Sequence, residues 1–162
     1  MTLAETMEGF GTLQQAGKIR YYGVSNLDLA DMQELCSVPG GPAAATDQVL
    51  YNLTSRGIEW NLLPWLRERH IPVMAYSPIV QGRLLANQKL KAFADKHEMT
   101  AAQAALAWLL THDDVIVIPK TSNPDRLREN VAAEQIRLTK DQLAELDRLF
   151  PPPKGPHRLE ML

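Results

Sequence analysis

Cysteine is almost absent from this sequence, since Cys36 is the only one in 162 residues. A disulfide within the chain is therefore impossible, and a reducing, cytoplasmic setting is expected. Long hydrophobic runs are also missing, because no apolar stretch approaches the roughly 20 residues that a membrane-spanning helix needs. The first ten residues contain two glutamates and no apolar core, so no secretory signal is expected there.

An excess of charge of one sign is lacking too. The chain has 17 lysines and arginines against 19 aspartates and glutamates, and the two signs are interspersed. This balance argues against a nucleic-acid partner or a membrane surface. The four histidines are scattered without metal-ligand spacing, so they are expected to be lone surface residues and no metal site is predicted. The length predicts a single globular domain.

Strand-like and helix-like segments alternate along the chain. Apolar, β-branched runs predict four strands at residues 19–24, 45–50, 71–78 and 115–118. Three helices are expected to begin with a capping box, in which two side chains three residues apart satisfy free backbone donors. Those pairs are Thr2 with Glu5, Thr100 with Gln103, and Thr139 with Gln142. The alternation predicts an α/β fold with a parallel sheet covered by helices.

Single residues predict where other helices begin and which aromatic residues are buried. Asp28 is expected to cap a helix that carries Leu29, and Asn61 to cap the helix in LLPWLRERH. Trp60, Trp65 and Trp108 are expected to pack in the core or between helices.

Polar residues stand at the carboxyl end of each predicted strand. In a parallel sheet these ends lie on one face, where ligands bind, so a shared site is expected there. Polar loops alone would also explain each of them. The residues are Ser25 and Asn26, Asp47 and Gln48, Tyr76 and Ser77, and the run from Lys120 to Asn123.

Among these strand ends, the one in the stretch VIVIPKTSNPDRLREN is the strongest candidate for a ligand site. Asn123 is a good N-cap and Pro124 suits a first helical position, so an ordinary capped helix explains the local sequence. A helix N-terminus also suits an anion, and the same free amides are expected to serve both purposes. Arg126 in the first turn opposes the helix dipole unless a phosphate neutralises it.

Three segments resemble the carboxyl-terminal half of a bacterial aldo-keto reductase: GKIRYYGVSN, DQVLYNLTSRGIEWNLLPWLRERHIPVMAYSP and VIPKTSNPDRLREN. The resemblance covers residues 1–150 and leaves 151–162 as a carboxyl-terminal tail. It implies strands five to eight of a TIM-type (β/α)8 barrel, in a family that moves a hydride between NADPH and a carbonyl. Half a barrel has open strand edges and an uncovered interior. Self-association, or a complementary half-barrel from another chain, is therefore expected.

The resemblance implies NADP as the cofactor and assigns its contacts. The family positions that hold the nicotinamide carboxamide correspond to Ser25, Asn26 and Gln48. The position that stacks on the face of the nicotinamide ring corresponds to Tyr76. The pyrophosphate is matched by Ser77, Ile79, Gln81 and Gly82. The 2′-phosphate is matched by Lys120, Thr121, Ser122 and Arg126. The adenine is matched by Glu129 and Asn130.

The family's catalytic Asp, Tyr, Lys and His belong to the first four repeats, which this chain does not contain. No catalytic residue is therefore assigned, because Lys120 belongs to the phosphate site and Tyr51 and Tyr76 lie on other strands. Reduction of aldehydes or ketones with NADPH is expected only when the missing half is supplied. Two alternatives stay open: a non-catalytic half-barrel that self-associates, with or without residual NADP binding, and a small flavodoxin-like domain. Strand order would distinguish the latter.

Overall fold

The computed structural model describes residues 2–162 and shows four parallel strands separated by helices. The strands are β1 (Val24–Ser25), β2 (Asp47–Leu50), β3 (Val73–Tyr76) and β4 (Val115–Val117). The helices are α1 (Leu3–Gln15), α2 (Leu29–Ser37), α3 (Leu62–Glu68), α4 (Gln88–Lys96), α5 (Ala101–Leu109), α6 (Pro124–Ala132) and α7 (Lys140–Leu149). No helix in this part of the chain is long and apolar enough to cross a membrane.

The strands lie side by side in the order in which they occur in the chain, β1-β2-β3-β4, and every pair is parallel. An α/β fold with a parallel sheet is therefore confirmed. A flavodoxin-like sheet places its second strand outside its first, so the sequential order makes that alternative wrong.

The first strand is much shorter than the predicted 19–24. In its predicted beginning the Tyr22 carbonyl accepts from Ala45 N–H at 2.8 Å, but these residues form no regular ladder. The Tyr22 ring stacks on Phe10 of α1 at 4.8 Å, and its hydroxyl donates to the Gly40 carbonyl. Val24 is the first residue whose N–H joins the sheet, donating to the Thr46 carbonyl at 2.9 Å. The regular pairing of β1 with β2 therefore begins at Val24.

Helix starts follow the sequence with one exception. All three predicted capping boxes are present, and Asp28 accepts from the amides of Ala30 and Asp31. Asn61 makes no capping hydrogen bond to α3, so that prediction was wrong. The chain enters α3 from a 3-10 turn at Gly57–Glu59, which leaves Asn61 at φ −143° and ψ −43°, away from the extended backbone that an N-cap uses.

The sheet has one covered face and one open face. Along β3, Val73 and Ala75 are fully buried under the helices, whereas Met74 and Tyr76 are half-buried on the opposite face. Ile116, which pairs with Met74 in register, is 43% exposed. The open face is therefore apolar and accessible, as expected for part of a barrel.

Two expectations, one about the tryptophans and one about the histidines, were wrong. Trp108 of α5 is buried as expected, but Trp60 is 48% exposed at the entrance to α3. His97 and His112 are half-buried and partnered rather than lone surface residues. His97 lies 3.2 Å from Glu145 of α7, and His112 lies 3.1 Å from the Tyr51 hydroxyl. Tertiary packing created both contacts, since each joins residues about 50 or more positions apart.

A buried arginine ties the α3 entrance to the end of α7. Arg56 makes a two-pronged ion pair with Glu59, at 2.7 and 2.9 Å, and reaches Asp147 at 2.8 Å and the Phe150 carbonyl at 2.6 Å. Its guanidinium lies 4.9 Å from the centre of the Trp108 ring. This network connects β2's carboxyl end to the last helix.

Candidate functional site: a cationic cleft at the strand ends

Two strand ends meet at a tight turn after β1. The Ser25 hydroxyl and the Asn26 backbone N–H both donate to the Gln48 carbonyl, each at 2.9 Å. Asn26 adopts the left-handed conformation, φ +58°, which asparagine tolerates better than most residues. The fold therefore brings Ser25, Asn26 and Gln48 together, although they lie on two different strands.

The neighbourhood of this turn contains polar atoms without partners. Asn26 Oδ1 is buried and unbonded, and so are both carboxyl oxygens of Asp47, among the described residues. Burial raises the pKa of Asp47 from 3.8 to about 7, aided by the charge of Asp31 and opposed by the Leu27 backbone amide. Buried polar groups nearly always have a hydrogen-bond partner, so three buried atoms without a partner single out this turn.

Backbone strain is concentrated in the loop after β3. Ser77, Val80 and Gln81 have φ between +49° and +53°, and Gly82 has φ +88°. Three non-glycine residues in this region within one short loop are costly and persist only where the surroundings enforce them. Such strain occurs often at ligand sites, so this loop is a candidate binding element.

Asn52 holds this loop in place. Its Nδ2 donates to the Ser77 carbonyl at 3.1 Å, while its Oδ1 accepts from Thr54 and Ser55. Asn52 is 1% exposed, and both its side-chain nitrogen and its side-chain oxygen are hydrogen-bonded inside the protein. Asn52 is not among the predicted site residues, although an amide two positions beyond the end of β2 is a signal that the sequence contains.

A cleft of about 690 Å³ opens between this loop and the start of α6. Nine of the predicted site residues line it: Ser77, Ile79, Gln81, Gly82, Lys120, Thr121, Arg126, Glu129 and Asn130. Pro78, Leu85, Thr100, Ala101, Ala102 and Ile118 complete the wall. Ser25, Asn26, Gln48, Tyr76 and Ser122 do not line this cleft.

The amides at the start of α6 are already in use. Asn123 Oδ1 accepts from Asp125 N–H at 2.8 Å and from Arg126 N–H at 3.1 Å, and Thr121 Oγ1 accepts from Asn123 N–H. Pro124 has no N–H to offer. The expectation that the same amides serve the cap and an anion was therefore wrong, because the cap consumes them. An anion would depend on the side chains.

Two cations at this cleft are uncompensated. Within residues 2–162, neither Lys120 nor Arg126 has a carboxylate oxygen within 4.0 Å. Arg128, two residues on, is paired with Asp125 at 2.7 Å. Unpaired positive charges beside a concave surface attract anions, and an arginine fork matches phosphate oxygens.

Thr100 is a further wall residue that the sequence analysis did not assign to the site. Its hydroxyl donates to Glu129 Oε1 while also accepting from Gln103 N–H to cap α5. One side chain thus caps α5 and fixes a carboxylate on α6. The capping-box spacing revealed the first role, whereas the second depends on how the two helices pack. No three His, Cys, Asp or Glu side chains within the described range could hold a metal ion.

A parallel sheet in chain order, with a cleft that carries two unpaired cations at its carboxyl ends, is the arrangement of a barrel-type α/β protein. The chain belongs to the aldo/keto reductase family, whose family model matches residues 1–150. The recognition made from sequence motifs is thereby confirmed.

Relatives and solved structures agree with this assignment. The chain is 47% identical over 163 residues to methylglyoxal reductase YeaE of Escherichia coli, covering 98% of this chain and 57% of the relative. It is 31% identical to glyoxal reductase of Bacillus subtilis, covering 98% of this chain and 56% of the relative. An aldo-keto reductase from Klebsiella pneumoniae, crystallised with NADPH, matches with a TM-score of 0.96 and 45% identity over the whole chain and 59% of that structure. The chain therefore spans somewhat more than half the length of these proteins.

Proposed function

We propose that this chain is the NADP(H)-binding half of an aldo-keto reductase-type oxidoreductase, corresponding to strands five to eight of the barrel, with 151–162 as its tail. One observation carries the proposal: Lys120 and Arg126 are cations without a carboxylate partner, within residues 2–162, at a cleft of about 690 Å³. The Klebsiella structures crystallised with NADPH or with NADP support the choice of ligand.

The proposed roles are those that the family resemblance implies, and the positions of the side chains support them. Lys120 and Arg126, with Thr121 and Ser122, hold the 2′-phosphate, since an arginine fork and an ammonium suit a dianion. The strained loop with Ser77, Ile79, Gln81 and Gly82 follows the pyrophosphate. The adenine lies against Glu129 and Asn130. Each of these residues except Ser122 lines the cleft.

The nicotinamide end lies at the neighbouring strand ends. Ser25, Asn26 and Gln48 grip the carboxamide, and the buried Asn26 Oδ1, which has no partner among the described residues, becomes an acceptor when its side chain turns towards the ligand. Tyr76, half-buried on the open face, stacks on the ring. NADPH bound in this way supplies a hydride to a carbonyl.

The chain alone is inactive in this proposal, because it lacks the proton donor that must act with the hydride. Tyr51 does not replace it: the side chain is fully buried, its hydroxyl is bonded to Glu59 at 2.9 Å, and burial raises its pKa. A phenol in that position cannot reach a substrate on the open face of the sheet.

A complementary half-barrel, or a second copy of this chain, covers the open face. Ile116 and Ile118 are exposed on or beyond β4, and Leu127 and Val131 are exposed one turn apart on the neighbouring α6. Exposed apolar side chains on β4 and on α6 favour a partner over a solvated surface.

Turnover assays test the enzymatic proposal. The chain alone, with NADPH and methylglyoxal, is expected to show no oxidation of NADPH. Activity is expected when the amino-terminal segment of the Escherichia coli relative that this chain does not cover is co-expressed with it. Turnover by the chain alone at the rate of the complemented pair would overturn the claim that the proton donor is missing.

A non-catalytic half-barrel that self-associates is the second candidate, and the exposed apolar face favours it. Light scattering distinguishes the states: a stable monomer at high concentration would contradict self-association. A dimer that binds NADPH but gains no activity with the amino-terminal segment of the Escherichia coli relative would favour the non-catalytic half-barrel.

A further inference from the structure

Asp47 begins β2 and lies directly beneath the turn that joins β1 to α2. It pairs in register with Val24 of β1 and Val73 of β3. Because side chains alternate along a strand, Gln48 faces the open side of the sheet and Asp47 faces the helices. Its side chain is completely buried, which is rare for a carboxyl group without a partner.

The surroundings do not satisfy this carboxyl group. Neither oxygen has a hydrogen-bond partner among the described residues. The Leu27 backbone N–H lies near enough to lower its pKa, but outside hydrogen-bond geometry. Asp31 of α2 is the charged group that acts on it, and this charge favours the protonated form. The carboxyl group is therefore poised between its two protonation states near neutral pH.

Two consecutive residues of β2, Asp47 and Gln48, contact the turn that follows β1. The Gln48 carbonyl accepts from Ser25 Oγ and Asn26 N–H, and Asp47 lies against the next amide, that of Leu27. Asn26, between these two anchors, has a left-handed backbone and an unpartnered side-chain oxygen. A change at Asp47 is therefore transmitted to Asn26 through one residue.

We propose that Asp47 is a positioning residue whose protonation sets the geometry of the Ser25–Asn26 turn and thereby the affinity for a nicotinamide carboxamide. The neutral carboxyl group fits the buried position and leaves the turn as the structure has it. The ionised group must draw the Leu27 N–H towards itself or admit water, and either change displaces Asn26. This inference rests on the proposed NADP(H) function.

Titration of NADPH fluorescence between pH 6 and 8.5 tests the proposal in the wild-type chain and in Asp47→Asn, which keeps the shape of the neutral acid. The ratio of the two dissociation constants removes the cofactor's own ionisation. The ratio is expected to be near one at pH 6 and to rise at least about fivefold by pH 8.5, within the range of ordinary coupling between sites. A ratio that stays constant would overturn the proposal.

Asp31→Asn supplies a second variant with an intact Asp47. Removing the Asp31 charge makes Asp47 ionise more easily, so the weakening of affinity is expected to begin at a lower pH than in the wild type. A purely structural role for Asp47 would give no such displacement. An unchanged midpoint contradicts the proposal.

Amide resonances of Asn26 and Leu27 in the cofactor-free chain give a readout that does not need NADPH. They are expected to shift with pH near neutrality in the wild type and not in Asp47→Asn. Resonances that do not shift overturn the positioning role while leaving NADPH binding intact. Shifting resonances without NADPH binding at any pH would instead overturn the proposed function, and with it the coupling to affinity.

Discussion

Asn52 Nδ2 donates to the Ser77 carbonyl at 3.1 Å, so a residue just beyond β2 holds the strained loop that follows β3. The same side chain closes its own turn through Thr54 and Ser55. One buried amide therefore fixes two consecutive strand ends, and the wall of the cleft depends on it.

Replacing Asn52 by alanine is expected to weaken both the fold and the cleft. The Ser77 carbonyl and the Ser55 N–H, both in half-buried residues, lose their partner, and each costs about 1–3 kcal/mol where water does not replace it. Urea unfolding should show the loss of stability, and NADPH affinity should fall because the loop is released. Asn87→Ala is the control: it removes the α4 cap, costs about 1 kcal/mol, and should leave affinity unchanged. Equal affinity in both variants would contradict the role of Asn52.

Arg126→Ala is expected to weaken NADPH binding by about 1.5–3 kcal/mol, since a hydrogen bond to a charged group is lost. This corresponds to a roughly ten- to 150-fold increase in the dissociation constant. NADH, which has no 2′-phosphate, should bind both forms alike. Arg128→Ala is the matched control on the same helix, because Arg128 is paired with Asp125. A similar loss in both variants would indicate general electrostatics rather than a specific contact.

Arg56→Met is expected to destabilise the fold by about 3–5 kcal/mol, because it leaves Glu59 half-buried without its partner. Arg67→Met removes an ion pair with Asp114 that is largely open to solvent, so at most about 1 kcal/mol is expected. Chemical denaturation of both variants under one buffer condition makes the comparison. Equal losses would show that burial does not govern the strength of these pairs.

The free energy of unfolding should depend on pH through Asp47. Its pKa is raised to about 7 in the folded chain, so its contribution is fully present below the unfolded value near 4 and is lost as pH rises to about 7. The shift corresponds to roughly 4 kcal/mol. Asp114 and Glu145 act in the opposite direction: ion pairing with Arg67 and Lys96 lowers the pKa of each, so stability is lost as pH falls.

Asp47→Asn should flatten the stability profile between pH 4 and pH 7 and leave the loss at lower pH in place. Urea titrations at four or five pH values would measure it. A wild-type profile with the same slope as the variant between pH 5 and pH 7 would show that Asp47 ionises normally in the folded chain.

Features that depend on residues close together in the chain could be predicted from the sequence. Three capping boxes, the Asp28 cap and the parallel α/β alternation were predicted because hydrogen bonds three residues apart and apolar periodicity are local. Polar residues at the strand ends could also be recognised, and family resemblance assigned them to one cofactor.

Packing between distant segments determines which backbone donors remain free and which buried groups lack partners. Asn123 was visible as a cap, but its use of two α6 amides left the anion to Lys120 and Arg126. Asn52 and Asp47 owe their roles to strands that are distant in the chain, since burial and partner choice depend on contacts across the sheet. The residues next to Asn52 and Asp47 in the chain do not reveal those contacts, because burial and desolvation depend on how the whole fold packs.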